Sequence, residues 1–245
     1  MDIKNTSVGN IVAENFSTAK IFRSFGIDFC CHGSNTLEEA CLEAGIETDI
    51  VIEALLSNTD SKNADIPFSS WPLDLLIDYI LKIHHRGIRR NGPELLSLIK
   101  KVKDSHKNNH PELEELYNLV SDSLIDLENH LQKEENVLFP YLLELYEASE
   151  KNIRIPAMHC GSIANPIRVM HMEHENEGNR YQRISELTNN FHTPDDGCNT
   201  YRLMLSELEE FVNNLYEHIH LENNILFPEF IKLEEKNLNI KQFNI

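Results

Sequence analysis

The chain has 245 residues, enough for one large domain or for a large and a small one. Its net charge is -18 and its sequence pI is about 5.0, which argues against nonspecific nucleic-acid binding and against adhesion to an anionic membrane. No apolar run approaches the ~20 residues of a membrane helix, and the first ten residues lack the features of a secretory signal. Five cysteines, an odd number, do not resemble a disulfide scaffold and fit a reducing cytoplasm.

Residues 1–57 are predicted to form a small helical domain. An amphipathic pattern runs from Ile11 to Phe25, and a capping box of Thr36 and Glu39 marks the start of a further helix. Residues 58–70 are polar, so they are interpreted as a linker to the rest of the chain.

Residues 71–245 carry four long amphipathic segments. The segments are predicted to run from Pro72 to Lys103 with an interruption at Asn91-Gly92-Pro93, from Pro111 to Ala148, from Pro166 to Asn190 and from Thr200 to Glu235. Four amphipathic helices joined by three loops make an antiparallel four-helix bundle. The sequence therefore predicts an all-α fold, in which a small N-terminal helical domain precedes the bundle.

Two of these segments share the pattern His-x-x-x-Glu-x-Asn-aliphatic-Leu-Phe-Pro. The first copy holds His130 and Glu134, and the second holds His218 and Glu222. On an α-helix four residues return to nearly the same face, so each imidazole and carboxylate can bind one metal ion or reach two adjacent ions. A single pair is common as a solvated contact between neighbouring turns, but two copies with the same tail favour a duplicated metal motif.

Each predicted bundle helix presents one histidine on its inward face, and these are His84, His130, His174 and His218. His84 and His174 are 90 residues apart (174 − 84), and His130 and His218 are 88 apart (218 − 130), which indicates an internal duplication. Burying four imidazoles and two carboxylates without partners would be very unfavourable, and metal ions remove that penalty.

The ligand set narrows the choice of metal. Six nitrogen and oxygen ligands are too many for one structural zinc ion, and calcium and magnesium prefer oxygen alone. Imidazole with carboxylate suits iron, and also manganese or zinc. Two ions are accommodated if Glu134 and Glu222 both bridge them, with an oxo or hydroxo bridge to complete the shell. The neighbouring His85 and His220 are predicted to point away from this cluster.

Cys30 and Cys31 are adjacent and precede a predicted helix, whose N-terminus lowers the pKa of a nearby thiol. They are interpreted as a redox, nitrosyl-binding or metal-handling pair, and the alternative is two packed cysteines. A bond between adjacent cysteines would be strained and labile. The other three cysteines have no second cysteine at the spacing of a known motif, and no functional role is predicted for them. They are Cys41, Cys160 and Cys198.

Together these motifs resemble the iron–sulfur cluster repair di-iron proteins, which join a short N-terminal domain to a hemerythrin-like domain. The N-terminal resemblance rests on Asp28-Phe29-Cys30-Cys31-His32-Gly33, although that family commonly has glycine where His32 stands. The C-terminal resemblance rests on the two His-x-x-x-Glu motifs, on His84 and on the segment from Pro166 to His174. The resemblance covers essentially the whole chain.

The resemblance implies a cytoplasmic, often homodimeric protein that restores iron–sulfur clusters damaged by nitric oxide or oxidants. It implies two non-haem iron ions held by the four histidines and bridged by the two glutamates, with the cysteine pair assisting iron donation. Its partners would be damaged iron–sulfur proteins or the cluster-assembly machinery, and neither nucleic acid nor membrane. Such a repair protein, rather than a classical enzyme, is the favoured interpretation.

Two other functions stay open. One is a di-iron enzyme that reduces nitric oxide or peroxide, for which an open coordination position and nearby thiols would be suited. The other is a hemerythrin-like protein that binds or senses oxygen or nitric oxide. Oxygen-carrying hemerythrins use a fifth histidine, for which this sequence has no obvious candidate.

Overall fold

The structure is a computed structural model, and it describes residues 3–57 and 67–239. Within these ranges the chain is helical, and extended backbone pairs only in an isolated bridge between Ser7 and Thr36. The predicted all-α class is confirmed. Most of the predicted linker, residues 58–66, lies outside the described residues, and the predicted domain boundaries stay a prediction.

The N-terminal segment, residues 3–57, contains four short helices. They are α1 (Val8–Glu14), α2 (Ala19–Ser24), α3 (Leu37–Ala44) and α4 (Thr48–Ser57). The predicted capping box starts α3, since the Glu39 N–H donates to the Thr36 hydroxyl at 3.2 Å and the Thr36 N–H donates to the Glu39 carboxylate at 2.8 Å. Gly45 ends α3 with φ 68°, a left-handed conformation that glycine adopts without strain.

Four long helices form the bundle predicted for the rest of the chain. They consist of α5 (Leu73–Tyr79) with α6 (Arg86–His106), α7 (Glu112–Lys133) with α8 (Phe139–Glu150), α9 (Ala164–Leu187), and α10 (Asn199–Leu221) with α11 (Phe227–Leu238). Helix α6 continues through Asn91-Gly92-Pro93, so the predicted interruption there is wrong. Among the helices described, none is long and apolar enough to cross a membrane.

The first, second and fourth bundle helices each contain a π-helical turn. In such a turn each backbone hydrogen bond joins residues five positions apart, one more than in an α-helix. These turns are Ile80–His85, Glu134–Leu138 and Glu222–Leu226. In the last two, the turn starts at the motif glutamate, whose carbonyl accepts the N–H of the phenylalanine before Pro140 or Pro228. A proline has no N–H and would crowd a carbonyl in a regular helix, and the wide turn relieves both problems.

The bundle core is divided in two along its length. One cluster of buried apolar side chains contains residues of the N-terminal segment, such as Phe22 and Leu37, together with Leu127 and Leu215 of the bundle. A second cluster, which includes Phe139, fills the other end of the bundle. Along the bundle helices, the two clusters are separated at the level of the motif histidines. A polar layer therefore interrupts an otherwise apolar interior.

Candidate metal centre

Buried nitrogen and oxygen atoms converge in this polar layer. Two groups of side chains could each hold a metal ion, namely His130, His174, His218 and Glu222 in one, and His85, Glu134, His218 and Glu222 in the other. Within each group the ligand atoms lie within 4.8 Å of one another. Because His218 and Glu222 belong to both groups, the six residues form one cluster. We call it the dinuclear centre after its two groups of ligand atoms, and the number of ions that it holds stays a prediction.

The distances inside the dinuclear centre suit coordination. His130 Nε2 and His174 Nε2 are 3.1 Å apart, and His174 Nε2 lies 3.2 Å from Glu222 Oε2. His85 Nε2 lies 3.3 Å from Glu134 Oε2. Two ligand atoms at right angles, each about 2.1 Å from one ion, would lie about 3.0 Å apart. The observed spacing is therefore that of donor atoms arranged around cations.

Most of these atoms have no hydrogen-bond partner. Both oxygens of Glu134, both oxygens of Glu222, both ring nitrogens of His218 and Nε2 of His85 are buried and unpaired among the described residues. Each such atom would cost about 1–3 kcal/mol if nothing satisfied it. Divalent cations between the rings and the carboxylates would satisfy the four carboxylate oxygens and one nitrogen of each ring, so the residues fit a metal centre.

His85, and not His84, lies in the dinuclear centre. The sequence predicted the opposite, with His84 as a ligand and His85 pointing away. The π-helical turn Ile80–His85 adds one residue to the helical repeat, so the inward position moves on by one residue. His84 is also buried, but its Nδ1 lies 3.2 Å from Asn214 Oδ1 and its ring packs against Tyr79.

The structure brings the other five predicted ligands together. His130, Glu134, His174, His218 and Glu222 come from three different bundle helices, and each is at most 4% exposed. The i to i+4 spacing accounts for the two pairs, since His130 Nε2 lies 3.4 Å from Glu134 Oε1, and His218 Nε2 lies 3.4 Å from Glu222 Oε2. Their role as ligands stays a prediction.

Hydrogen bonds at Nδ1 orient three of the four histidines of the dinuclear centre. His85 Nδ1 is 2.8 Å from Glu135 Oε1, His130 Nδ1 is 2.8 Å from Glu173 Oε2, and His174 Nδ1 is 2.8 Å from Asn223 Oδ1. Such partners place the proton on Nδ1 and leave Nε2 free to bind a metal. Glu135 and Asn223 each directly follow a motif glutamate, so both halves of the duplicated bundle use the same arrangement.

Charge within the dinuclear centre also favours a cation. Burial lowers the pKa of His174 to about 3, so its ring is neutral. Burial lowers the pKa of His130 as well, but the negative charges of Glu134 and Glu173 outweigh this and raise it to about 9. Burial, and then the charge of Glu134, raise the pKa of Glu222. Two buried carboxylates this close repel each other unless positive charge lies between them.

A cavity of about 310 Å³ borders the centre between α7 and α9. Its lining includes His130, His174 and His218 and the carboxylates of Asp126 and Glu173. Asp126 is 58% exposed and Glu173 is 28% exposed, so the acidic side chains lie toward solvent. Lys133 also lines the cavity and pairs with Glu173, and Asp126 pairs with Arg180. The cavity therefore connects the three rings to paired charges that face solvent.

Cys30 and Cys31 lie close to the dinuclear centre. Their Sγ atoms are 3.8 Å apart, and Cys31 Sγ lies 3.5 Å from the carbonyl oxygen of His174. Neither thiol is in a disulfide. The hydrogen bond with Cys31, burial and the charge of Asp28 raise the pKa of Cys30. The predicted lowering by a helix N-terminus is not seen for Cys30, because α3 starts only at Leu37.

Two residues that sequence reasoning set aside have defined partners. His220 was predicted to point away from the cluster, and it belongs to neither ligand group. It is nevertheless buried, its ring packs against Phe29, and burial lowers its pKa to about 4. Cys198 precedes α10 and lies 3.3 Å from His106 Nε2. The backbone N–H of Tyr201 and the His106 ring lower the pKa of the Cys198 thiol to about 7. In the sequence, the position of Cys198 just before a long predicted helix was the feature that could have indicated this lowered pKa.

Two parts of the chain match known protein families. Residues 4–59 match the family described as "Domain of Unknown function (DUF542)", and residues 76–230 match the "Hemerythrin HHE cation binding domain". The chain is 32% identical over 235 residues to the iron-sulfur cluster repair protein YtfE of Musicola paradisiaca, an alignment that covers 96% of this chain and 100% of the relative. It is 33% identical over 236 residues to the protein of the same name from Yersinia pseudotuberculosis serotype IB, with the same coverage.

Proposed function

Because this chain belongs to the iron–sulfur cluster repair family and contains its hemerythrin cation-binding domain, we propose that it stores iron and donates it to damaged iron–sulfur clusters. Two iron ions would be the cargo of the dinuclear centre. The ligands would be His85, His130, His174 and His218, with Glu134 and Glu222 between the ions. One observation carries the proposal: ligand atoms of buried histidines and glutamates lie within 4.8 Å of one another in two groups, and both carboxylates have no hydrogen-bond partner.

The donor atoms of the centre suit an ion that must leave again. Imidazole and carboxylate bind ferrous iron well, whereas a cage of thiolates would hold it more firmly. Within each of the two four-residue groups every ligand is a histidine or a glutamate. Manganese and zinc bind the same donors. Metal analysis of the purified chain, with the absorption spectrum of bridged ferric iron, would therefore decide which ion it carries.

The cavity between α7 and α9 supports release toward a client protein. It joins the rings of His130 and His174 to the exposed ion pair of Asp126 with Arg180. An ion that leaves the centre would pass this ion pair on its way to solvent. The clients would be iron–sulfur proteins with damaged clusters, as the names of the relatives indicate for those proteins. The homodimer and the cytoplasmic location stay predictions.

A reactivation assay tests the proposal. An iron–sulfur dehydratase, inactivated by peroxide or nitric oxide, is incubated with the iron-loaded chain, and the recovery of its activity is measured. We expect recovery in proportion to the iron supplied, and none with the metal-free chain. A ferrous chelator that cannot enter the protein distinguishes direct transfer from release into solution. Recovery no faster than with free ferrous salt would contradict donation by this protein.

The same assay separates the two alternatives from the sequence analysis. A di-iron reductase would consume nitric oxide or peroxide over many turnovers when supplied with an electron donor, and would lose no iron. A binding or sensing protein would take up one equivalent of gas per centre. A repair protein loses iron as the client recovers. Iron content before and after the reaction, together with the amount of nitric oxide or peroxide consumed, therefore distinguishes all three.

A further inference from the structure

We infer that Asp28, Cys30 and Cys31 form a separate site for one divalent transition-metal ion, at the junction of the N-terminal segment and the bundle. A carboxylate oxygen of Asp28 and the two Sγ atoms lie within 4.8 Å of one another. The existence of this thiol site does not depend on the proposed function. Its use as a station for iron on the way to or from the dinuclear centre rests on that function.

The spacing of the donor atoms matches coordination of one ion. With metal–sulfur bonds of about 2.3 Å at the tetrahedral angle, two thiolates lie about 3.8 Å apart. The Sγ atoms of Cys30 and Cys31 are 3.8 Å apart. With a metal–oxygen bond of about 2.1 Å, a carboxylate oxygen would lie about 3.6 Å from each sulfur. Asp28 Oδ1 lies 3.3 Å from Cys30 Sγ, so a small shift completes the geometry.

The loop that carries the three donors is held in place by Asp28 itself. Its Oδ1 accepts the backbone N–H groups of Cys30 and Cys31, each at 2.9 Å. Its Oδ2 lies 2.7 Å from His32 Nδ1. Metal-binding carboxylates commonly have a hydrogen-bond partner of this kind, which fixes their orientation. These bonds therefore fix the two cysteines of the loop beside the Asp28 carboxylate, and an ion would share this carboxylate with them.

The bundle leaves room for an ion and its remaining ligands. A cavity of about 520 Å³ borders Asp28, both cysteines and Glu175. Gly178 of α9 faces Cys31, and a Cβ at Gly178 would lie 3.3 Å from Cys31 Sγ, closer than an ordinary contact. Glycine in a helix interior costs about 1 kcal/mol relative to alanine. Here its lack of a side chain keeps the space beside the thiol open.

Binding requires both thiols to lose their protons. The balanced step is a divalent ion plus two thiols forming two metal–sulfur bonds and releasing two protons to solvent, with no change in oxidation state. Without an ion, two thiolates beside the Asp28 carboxylate would repel one another in a partly buried place. A cation reverses this repulsion, since a coordinated thiol deprotonates readily. Thiol ligands select iron, zinc or cobalt over magnesium and calcium.

The thiol site shares a wall with the dinuclear centre. Cys31 Sγ is 3.5 Å from the carbonyl oxygen of His174, and the carbonyl of Cys30 accepts a hydrogen bond from Asn223 Nδ2 at 3.1 Å. The same asparagine bonds the His174 ring, which faces the dinuclear centre. An ion held by the thiols would therefore lie beside the backbone of His174, a candidate ligand of the dinuclear centre.

Cobalt titration of the reduced, metal-free, full-length chain under argon tests the inference. Thiolate ligands give Co²⁺ an intense near-ultraviolet charge-transfer band, which ligands from histidine and glutamate do not produce. We expect three equivalents of Co²⁺ to bind, with the charge-transfer band of two thiolates accompanying one of them. A chain that binds Co²⁺ without this band has no thiol site, and the inference is then wrong.

Variants assign the band to its residues. Cys31→Ser, at a half-buried position, should lose the band and one equivalent of Co²⁺ while two equivalents remain in the dinuclear centre. Cys30→Ser should do the same, with circular dichroism to check that the chain is folded. Cys160→Ser changes an exposed cysteine far along the chain and serves as the matched control, in which the band should persist. A band that survives in Cys31→Ser would overturn the assignment.

The cobalt titration and the reactivation assay can succeed or fail independently of each other. If the wild-type chain reactivates clusters but shows no thiolate band, the proposed function stands and the thiol site does not. If the band and third equivalent are present but no cluster is reactivated, the thiol site stands and the repair function fails. If both are present, slower reactivation by Cys31→Ser, with two irons still bound, would identify the thiol site as a station for iron.

Discussion

Asn223 accepts a hydrogen bond from the His174 ring, with 2.8 Å between Oδ1 and Nδ1. The Nδ2 of the same side chain donates to the carbonyl of Cys30 at 3.1 Å. One amide therefore orients a candidate metal ligand and holds the cysteine loop of the N-terminal segment. Docking of that segment and metal binding in the bundle should be energetically linked through this residue.

Replacing Asn223 by alanine should weaken metal binding in the dinuclear centre. Loss of a partner that orients a ligand histidine typically lowers metal affinity about 10–100-fold. Competition with a chelator of known affinity measures the change. The control is Asn136→Ala, since Asn136 is exposed and its amide donates to the carbonyl of Gln132 in its own helix. Equal affinities for Asn223→Ala and the wild-type chain would show that the hydrogen bond has no such role.

Replacement of His85 should matter more to metal content than replacement of His84. His85→Ala removes an Nε2 that lies 3.3 Å from Glu134, so we expect the loss of at least one of two ions. His84→Ala removes a ring that lies beside Tyr79 and His218 but supplies no atom to either ligand group. Both ions should therefore stay. Metal analysis after dialysis gives the numbers. If His84→Ala loses metal while His85→Ala keeps both ions, the ligand is His84, as the sequence predicted.

Alkylation of Cys198 should depend on pH with a midpoint at about 7. The thiolate reacts and the thiol does not, and the N–H of Tyr201 and the His106 ring lower the pKa of this thiol to about 7. The rate should therefore rise as pH increases through this value and level off above it. In His106→Ala the midpoint should move upward. Peptide mass spectrometry follows the site, with exposed Cys160 in the same sample for comparison.

Gly33→Ala should destabilise the docked N-terminal segment. A Cβ at Gly33 would lie 2.2 Å from Asn224 Oδ1 and 2.6 Å from the carbonyl oxygen of Phe29, and the backbone atom cannot move aside cheaply. Overpacking of this kind lowers the free energy of unfolding by about 1–3 kcal/mol. Thermal unfolding measures it. Gly87→Ala, whose nearest neighbour would be 3.8 Å away, is the control and should leave stability unchanged or raise it.

The bundle and most of the dinuclear centre were predictable because they depend on local geometry. A residue four positions along an α-helix returns to the same face, so the pairs His130 with Glu134 and His218 with Glu222 follow from spacing alone. The capping box of α3 is local in the same sense and was also predicted. The spacing did not predict the π-helical turn that starts at each motif glutamate, just ahead of Pro140 and Pro228.

The sequence by itself determined the helical class, the duplication and five of the six residues that meet in the centre, because each depends on a periodicity that neighbouring residues impose. Only the tertiary structure decided between His84 and His85, since a single π-helical turn shifts the register and no repeat of 3.6 residues reveals it. Only the tertiary structure placed Cys31 against His174, 143 residues further along the chain. Contacts of that kind come from packing of the N-terminal segment on the bundle, which spacing along the sequence does not encode.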